Sequence, residues 1–301
     1  MFVAAPLGLM SYPAAWLAFA AIGWGIWFAV SRHAAPRGLV LAVLAFPGAY
    51  LAASHAQTGF ITGALLVGGV LLLGRRPWLA GALFGALVIK PHLALMVPLW
   101  LLAGRQWRAL AGGALSAALL CLASLAAFGW QTWAAWPQAF AVSRELMAQG
   151  SAAEFWLRMC TPYAALRLFA GPGGALAGQA VLTLLCAVLT MLAWRRTRDA
   201  QATGAIMLAA TALGSPYLFS YDLPFLIQPV MWIAGQALAG SWRAWEKPAI
   251  IVLWLSPLAT RALALPLGIN LMPLAAAGLV ALVWMRLPNA SGKLSLASEL
   301  D

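Results

Sequence analysis

Long uncharged apolar runs alternate with short basic turns along almost the whole chain. Runs such as residues 38–54, 59–74 and 109–128 carry no charge, although the 301-residue chain has a net charge of +11. Such a run cannot be solvated, but it can lie in the hydrocarbon of a bilayer, which a helix crosses with about 20 residues. The chain is therefore predicted to be a polytopic membrane protein.

The basic residues between these runs predict the orientation of the spans. Thirteen of the eighteen Lys and Arg residues fall in six turns, which are Arg32/Arg37, Arg75/Arg76, Arg105/Arg108, Arg195/Arg196/Arg198, Arg243/Lys247 and Arg286/Lys293. Lys and Arg close to the ends of spans stay on the cytoplasmic side. The six turns therefore mark the cytoplasmic face, and the multi-pass chain is expected in the plasma (inner) membrane.

Composition excludes several other classes of protein. The chain is 64% hydrophobic and 8% charged, whereas a soluble domain carries about 25% charged residues. We do not interpret the positive charge as a sign of nucleic-acid binding, because it lies in turns between apolar runs and not on one face. The three cysteines have no metal-ligand spacing. We predict no metal, no cofactor and no nucleic-acid partner.

Eleven transmembrane or half-membrane segments are expected, which gives an all-α helical bundle with its N-terminus outside and its C-terminus inside. Their approximate ranges are 12–30, 38–54, 58–74, 78–89, 91–103, 109–128, 174–194, 200–214, 223–239, 248–264 and 270–286. Residues 1–287 are interpreted as one transmembrane domain and residues 288–301 as a polar cytoplasmic tail. Residues 129–167 are predicted to form an outer loop with short interfacial helices.

Residues 78–104 lie between two basic turns, so both ends of this stretch are expected on the cytoplasmic face. At about 1.5 Å per residue, roughly 26 residues make one long span or two short segments. Proline disfavours α geometry at the residue before it and removes an amide donor. We favour two short segments that meet at Lys90-Pro91, with Lys90 at the outer tip.

The same topology collects a second set of polar residues at the outer face. The candidates for binding are Lys90, His55, Gln57, His92, Arg144, Arg158, Arg261 and Tyr217, accompanied by Tyr221, Asp222, Glu145, Glu154, Arg167 and Asn270. Five of these residues are cations that oppose the positive-inside trend, and a charge at membrane depth is a functional candidate. Lys, Arg, His and Gln beside lipid are typical of a site that binds a phosphate group.

Simpler roles stay open for several of these residues. Lys90 is also compatible with a side chain that only reaches to the interface. Asp222 is compatible with a cap on a helix that begins at Leu223. The charges of the long outer loop are compatible with solvated ion pairs of little energetic value, namely Arg144/Glu145 and Glu154/Arg158.

The sequence contains no motif of a soluble enzyme. A GxGxxG after a strand, a Walker lysine, GxSxG and HExxH are all absent. Two Gly-x-x-x-Gly pairs occur within predicted spans and are interpreted as helix-packing surfaces, Gly59/Gly63 and Gly81/Gly85.

Four stretches resemble one family of membrane enzymes. His55-Ala-Gln-Thr-Gly-Phe60 resembles its Gly-Gln-Asn-Gly-Phe-like turn, and residues 79–92 resemble its Ala-Gly-x-Leu-x-Gly-Leu-x-x-Lys-Pro-Gln stretch. Gly104-Arg-Gln-Trp-Arg108 is similar to the basic turn that follows, and residues 215–222 to a Thr/Ser-Pro-Tyr-Leu-x-Asp-Tyr-Asp element. In order and spacing, residues 1–240 resemble glycosyltransferase family 87, the polyprenol-phosphate-mannose-dependent alpha-mannosyltransferase-like family.

The resemblance implies a GT-C-like membrane glycosyltransferase. Such an enzyme takes a hexosyl or mannosyl group from a polyprenyl-phosphate donor and passes it to a lipid or glycan acceptor at the extracytoplasmic face. Cations would stabilise the charge on the leaving phosphate, and a carboxylate would take the acceptor proton.

This sequence departs from the family pattern at three places. The catalytic Asp of the family is expected in a first outer loop, and that loop would lie upstream of this chain. The catalytic residue is therefore unassigned, with Asp222 and Glu145 as candidates. His55 stands where the family has Gly, and His92 stands where it has Gln.

A hexosyltransferase, active or an inactive fragment, is the leading functional hypothesis. The alternatives are a polytopic transporter or lipid flippase, and a non-catalytic membrane subunit. A transporter would favour inverted internal repeats and discontinuous helices at the midplane. This chain has one broken segment without a repeat partner.

Overall fold

The fold is built almost entirely from helices. A computed structural model describes residues 5–149 and 152–288, except for the side chains at 5, 139, 140, 142–149, 152 and 153. It is 83% helical. The described residues contain no strand, only an isolated bridge between Met159 and Phe219. The predicted all-α bundle is confirmed, whereas tail residues 289–301 lie outside the described residues.

The described residues form fourteen α-helices. They are α1 Tyr12–Ser31, α2 Val40–Leu44, α3 Pro47–Ser54, α4 Gly59–Leu72, α5 Pro77–Gly85, α6 Val97–Ala103, α7 Trp107–Gln149, α8 Ala152–Arg158, α9 Pro162–Arg167, α10 Pro172–Arg196, α11 Ala200–Gly214, α12 Ile227–Ala239, α13 Glu246–Leu267 and α14 Met272–Arg286. Seven of them have proline at the first or second helical position. The missing amide donor costs nothing there, so these prolines fix where the helices begin.

Five helical segments are long and apolar enough to cross a membrane. They are Tyr12–Ala34, Arg37–Ser54, Trp107–Gln138, Pro172–Arg196 and Glu246–Leu267. Five shorter apolar segments accompany them, namely Gly59–Leu72, Pro77–Ile89, Pro91–Ala103, Ala200–Gly214 and Met272–Arg286. The span predicted at 223–239 instead starts as the 3₁₀ turn Ser220–Leu226 and becomes α-helical at Ile227. Pro224 lies inside that turn and lacks the amide donor that an α-helix would use there.

Helix α7 changes the interpretation of residues 129–167. The first helix ends at Gly129, where the predicted span ends, and a second helix then runs to Gln149, which is longer than the short interfacial helices predicted there. Helical geometry is interrupted only at Gly129, with φ +75 and ψ 164, a conformation that glycine adopts without the steric cost of a side chain. The short helices predicted for this region are confirmed in its second part, as α8 and α9.

The segment between the second and third basic turns breaks at Lys90, as predicted. Helix α5 passes into the 3₁₀ turn Ala86–Ile89, and a second 3₁₀ turn, Pro91–Ala94, leads towards α6. Lys90 lies between the two turns with φ −144 and ψ 74, outside helical geometry. This is the conformational restriction expected for the residue that precedes a proline.

Close packing of α5 on α7 shows how the broken segment is arranged. A β-carbon on Gly81 would lie 2.0 Å from the carbonyl oxygen of Ala109, and one on Gly85 would lie 2.2 Å from that of Gly113. The contacts advance by four residues in both helices, so the two helices run parallel. Both helices therefore begin at the same end of the bundle, far from Lys90. The glycine pair acts as the packing surface that its spacing predicts.

The later basic turns also meet at this end of the bundle. The guanidinium group of Arg196 lies 4.1 Å from the ring centroid of Trp284. Arg243 donates from Nη1 to the carbonyl oxygen of Met285 at 2.7 Å. Arg286 forms a buried ion pair with Glu246. We call this end the basic face, and the end at Lys90 the opposite face.

Candidate functional site

An ion pair between Lys90 and Asp222 lies at the centre of the opposite face. Lys90 Nζ is 2.5 Å from Asp222 Oδ1, although 132 residues separate the two in sequence. The side chain of Asp222 is 2% exposed and that of Lys90 is 19% exposed. The carboxylate is therefore inside the protein, while the lysine side chain is partly exposed.

The backbone around Asp222 fixes this carboxylate. Asp222 Oδ2 accepts a hydrogen bond from the amide of Phe219 at 3.2 Å, and the amide of Asp222 donates to the carbonyl oxygen of Phe219 at 2.9 Å. Asp222 therefore closes the first 3₁₀ turn and also holds Lys90. The turn begins at Ser220 and not at Leu223 as predicted, so Asp222 caps it from inside, by accepting from the amide of Phe219.

Two glycines of α4 bring this turn close to the bundle. A β-carbon on Gly59 would lie 1.8 Å from the carbonyl oxygen of Tyr221. One on Gly63 would lie 3.1 Å from Pro224 and 3.2 Å from Trp27. Trp27 Nε1 donates to the carbonyl oxygen of Pro224 at 3.2 Å and holds the turn from the other side. The Gly59/Gly63 pair is thus a packing surface that also positions Asp222.

Five aromatic rings form a continuous row next to the ion pair. The row runs through His55, Tyr221, Phe219, Tyr217 and His92, with successive centroid distances of 5.6, 5.2, 5.3 and 5.4 Å. Lys90 Nζ lies 5.2 Å from the centroid of the Tyr221 ring, within the range of a cation–π contact. We refer to these five residues as the aromatic row.

The aromatic row depends on a short extended segment. Phe219 has φ −108 and ψ 163, and Cys160 donates from its amide to the carbonyl oxygen of Leu218 at 2.7 Å. In extended backbone, alternate side chains point to the same side, which brings the rings of Tyr217 and Phe219 together, and Tyr221 stacks on Phe219 from the start of the 3₁₀ turn. Phe219 was not among the predicted site residues. The Tyr-x-Phe-x-Tyr alternation of period two, inside an otherwise helical chain, was the signal that could have identified it.

The polar groups along the row are mostly hydrogen-bond donors. Burial, followed by the negative charge of Asp222, raises the pKa of Tyr217 and of Tyr221 above the ordinary tyrosine range. Both phenols therefore keep their protons at neutral pH. His92 Nε2 is buried and has no hydrogen-bond partner among the described residues. His55 Nδ1 lies 2.9 Å from the carbonyl oxygen of Leu51, which can only accept, so the proton is assigned to Nδ1.

The remaining predicted cations are placed differently. Arg158 pairs with Glu154 at 3.4 Å, with both side chains more than half exposed. Arg167 lies 5.4 Å from the ring centroid of Trp156. Arg261 is close enough to Cys160 to oppose the rise in the pKa of that thiol, which burial and Asp222 cause. The side chains of Arg144 and Glu145 lie outside those described.

Two predicted polar residues support the site from its borders. Gln57 follows Ala56, whose φ of +44 turns the chain between α3 and α4. The backbone amide of Gln57 donates to the carbonyl oxygen of Ala52. Asn270 donates from Nδ2 to the carbonyl oxygen of Met159 at 2.6 Å. Within the part of the chain that the structure describes, no group of three or more His, Cys, Asp or Glu side chains could hold a metal ion.

Comparison with known protein families adds an independent observation. The family model of glycosyltransferase family 87 matches residues 1–216. The chain belongs to glycosyltransferase family 87. None of the curated proteins and none of the solved structures compared with it matches this chain. The resemblance seen in the sequence motifs is therefore confirmed at the level of the family.

The matched residues contain one half of the ion pair. His55, Lys90 and His92 lie within residues 1–216, whereas Asp222 and most of the aromatic row follow them. Family 87 membership identifies a membrane glycosyltransferase, in agreement with the five helices that are long enough to cross a bilayer. The contacts of Lys90 then join the matched part of the chain to the part beyond it.

Proposed function

We propose that this family 87 protein transfers a hexosyl group from a polyprenyl-phosphate donor to a lipid or glycan acceptor at the opposite face. The observation that carries the proposal is the Lys90–Asp222 pair beside the aromatic row. The polyprenyl chain would lie in the bilayer beside the apolar helices, and the ammonium group of Lys90 would bind the phosphate. The protein would act as a GT-C-type transferase.

Lys90 is the residue that we assign to the donor phosphate. An ammonium group has three donors, and Asp222 is its one hydrogen-bond acceptor among the described residues. Two donors are thus available to phosphate oxygens. Because its partner is almost completely buried, the ammonium group is fixed in direction before a donor binds, which reduces the ordering cost of binding.

The aromatic row supplies further donors for the leaving group. During transfer, the bond from the anomeric carbon to the phosphate oxygen breaks and a bond to the acceptor oxygen forms. The polyprenyl phosphate leaves with an additional negative charge. The protonated phenols of Tyr217 and Tyr221, together with Lys90, would stabilise that charge through positioned donors. Gln57, His92 and Arg261 would contribute from the border of the same site.

The acceptor hydroxyl must lose a proton in this reaction, and Asp222 is poorly suited to take it. Its Oδ1 binds Lys90 and its Oδ2 binds the amide of Phe219. We therefore assign Asp222 as a positioning residue. His55 donates from Nδ1 to the carbonyl oxygen of Leu51, and we propose its Nε2 as the base that accepts the proton of the acceptor hydroxyl.

The opposite face is proposed to be extracytoplasmic, in the plasma membrane. All six basic turns are expected on the cytoplasmic side, and Lys90 lies at the other end of the parallel helices α5 and α7. A polyprenyl-phosphate hexose whose sugar has already crossed the membrane would then bind at Lys90 from the extracytoplasmic side.

A pair of matched lysine variants tests the proposal. Membranes with wild-type protein are given radiolabelled polyprenyl-phosphate hexoses, and the labelled acceptor is measured. Lys90→Ala should abolish transfer, whereas Lys247→Ala, which removes a lysine near Trp242 on the basic face, should leave it unchanged. Equal turnover in both variants, or no transfer by wild-type protein from any donor of this class, would contradict the proposal.

A further inference from the structure

An open cleft of about 620 Å³ lies on the basic face, far from Lys90. Four of its lining residues are arginines from two separate turns, Arg105, Arg195, Arg196 and Arg198. Its volume is within the range of about 300–1,000 Å³ that is common for small-ligand sites. Neither the family match nor the proposed transfer reaction gives these residues a role.

Tight packing between two helix ends builds the cleft. Trp194, near the end of α10, donates from Nε1 to the carbonyl oxygen of Trp100 at 2.7 Å, and the two indoles stack at 5.7 Å. Gly104 follows α6, and a β-carbon there would lie 2.5 Å from the Trp194 ring. The next residue, Arg105, has a φ of +53, an uncommon conformation for a residue other than glycine. These contacts hold Arg105 beside the arginines of α10.

The positive charge of the cleft is largely uncompensated. Among the described residues, no hydrogen bond or ion pair involves the guanidinium groups of Arg105, Arg195 or Arg198. Arg196 donates a hydrogen bond from Nη1 to the carbonyl oxygen of Trp284 at 3.3 Å. The adjacent carboxylate, Asp199, accepts from the amide of Gln201 and caps α11. Three guanidinium groups therefore have their donors available to a ligand.

An apolar track leads along α10 into the same cleft. Val188, Met191 and Leu192 form part of the cleft wall. Exposed apolar side chains precede them on the same helix face at spacings of three and four residues, namely Val181, Leu184 and Leu185. From residue 181 to residue 191 the track is about 15 Å long at the rise of an α-helix. The track is part of the exposed apolar surface of a helix long enough to cross the membrane, so that acyl chains can lie along it and end at the arginines.

We propose that this cleft binds the phosphate headgroup of an anionic phospholipid, whose acyl chains lie along α10. Guanidinium groups bind phosphate oxygens in a bidentate manner, and basic pockets between transmembrane helices are suited to anionic headgroups. A free phosphate ion shares the headgroup chemistry but cannot use the apolar track. The site is independent of the transfer reaction proposed for the opposite face.

Binding to the purified full-length chain in detergent tests this site. Native mass spectrometry would compare phosphatidylglycerol with phosphatidylcholine of the same acyl chains. We expect clear preference for phosphatidylglycerol, and about a hundredfold weaker binding in Arg105→Gln/Arg195→Gln/Arg198→Gln, because three cations near an anionic headgroup are removed. The control Arg32→Gln/Arg37→Gln/Arg75→Gln removes the same charge from other turns of the basic face and should bind as wild type does.

Three results would overturn the proposal. They are equal binding of the two lipids, wild-type affinity in the cleft variant, and an equal loss in the control variant. Inorganic phosphate provides a separate arm, because tight phosphate binding without any lipid preference would identify a free-phosphate site. If the triple variant does not fold, as judged by circular dichroism, lipid binding is measured instead for the single variants Arg195→Gln and Arg198→Gln. Each should weaken phosphatidylglycerol binding about fivefold.

Discussion

The carbonyl oxygen of Tyr221 lies directly against the α-carbon of Gly59, leaving no space for a side chain. A β-carbon at position 59 would be 1.8 Å from that oxygen. This contact seats the 3₁₀ turn Ser220–Leu226 on α4 and thereby sets the position of Asp222 opposite Lys90. The first prediction concerns this contact.

Gly59→Ala should lower the free energy of unfolding by at least about 1–3 kcal/mol, because the turn must move to accommodate the methyl group. Thermal unfolding in detergent would show a lower Tm, and hexosyl transfer should fall with it. Gly25→Ala is the matched control, since nothing lies within 4 Å of its β-carbon position in α1. It should leave stability unchanged or slightly higher. A Gly59→Ala protein as stable as the control would show that the close approach is not required.

Asp222→Asn should separate positioning from folding. The amide oxygen can still accept from the Phe219 amide, but the charge opposite Lys90 is lost. Loss of one partner of a fully buried pair costs about 3–5 kcal/mol, and we expect about 1–3 kcal/mol because Lys90 is partly exposed. Transfer should decrease strongly. Asp199→Asn, at an exposed helix cap, is the control and should retain activity.

The single variant Lys90→Met and the double variant Lys90→Met/Asp222→Asn complete the double-mutant cycle for this pair. The double variant should recover part of the stability lost in Asp222→Asn, because no unpaired ammonium group is left. It should not recover transfer. If the two single changes add without any coupling in thermal unfolding, the ion pair does not contribute as the geometry indicates.

The two tyrosines of the aromatic row should lose their protons at a higher pH than an ordinary tyrosine does. Burial and the charge of Asp222 raise the pKa of Tyr217 and Tyr221. Because the folded state holds these protons more tightly, the stability they contribute is complete below the ordinary tyrosine pKa of about 10. It is lost as the pH rises through the raised folded values.

Tyrosinate absorbance in the near ultraviolet measures this titration. In Tyr217→Phe/Tyr221→Phe, the absorbance change at high pH should be smaller than in wild type by the contribution of two tyrosines. The absorbance change of the other three of the five tyrosines should stay the same. Loss of amplitude in the ordinary tyrosine range would contradict the assigned environment.

Cysteine labelling tests the orientation of the bundle. In a Cys121→Ala background, where Cys160 and Cys186 are buried, an impermeant maleimide should label Gln57→Cys from outside the cell. Gln106→Cys, beside the turn that carries Arg105, should react only after permeabilisation. The reverse pattern would place the Lys90 site on the cytoplasmic side and exclude an extracytoplasmic reaction.

Much of the architecture was predictable because it follows from local properties of the chain. Apolar runs and prolines at helix starts fix where helices lie, and the break at Lys90 follows from Pro91 and from the basic turns at both ends of its segment. The length of the helix that follows the break at Gly129 was missed, because only short helices were expected in this Trp-rich segment. Phe219 was missed because its role depends on an extended segment only a few residues long.

The sequence by itself determined an all-α membrane bundle of family 87 whose arginines gather in turns, because hydropathy, charge and proline act over a few residues. Tertiary structure alone decided that Lys90 pairs with Asp222 and that Arg105 and Arg195 line the same cleft. Those contacts join residues about 90 to 130 positions apart, and they depend on backbones that approach closely at Gly59 and Gly104. The Gly-x-x-x-Gly spacing predicts that Gly59 packs closely against another element, but which element that is depends on the packing of whole helices.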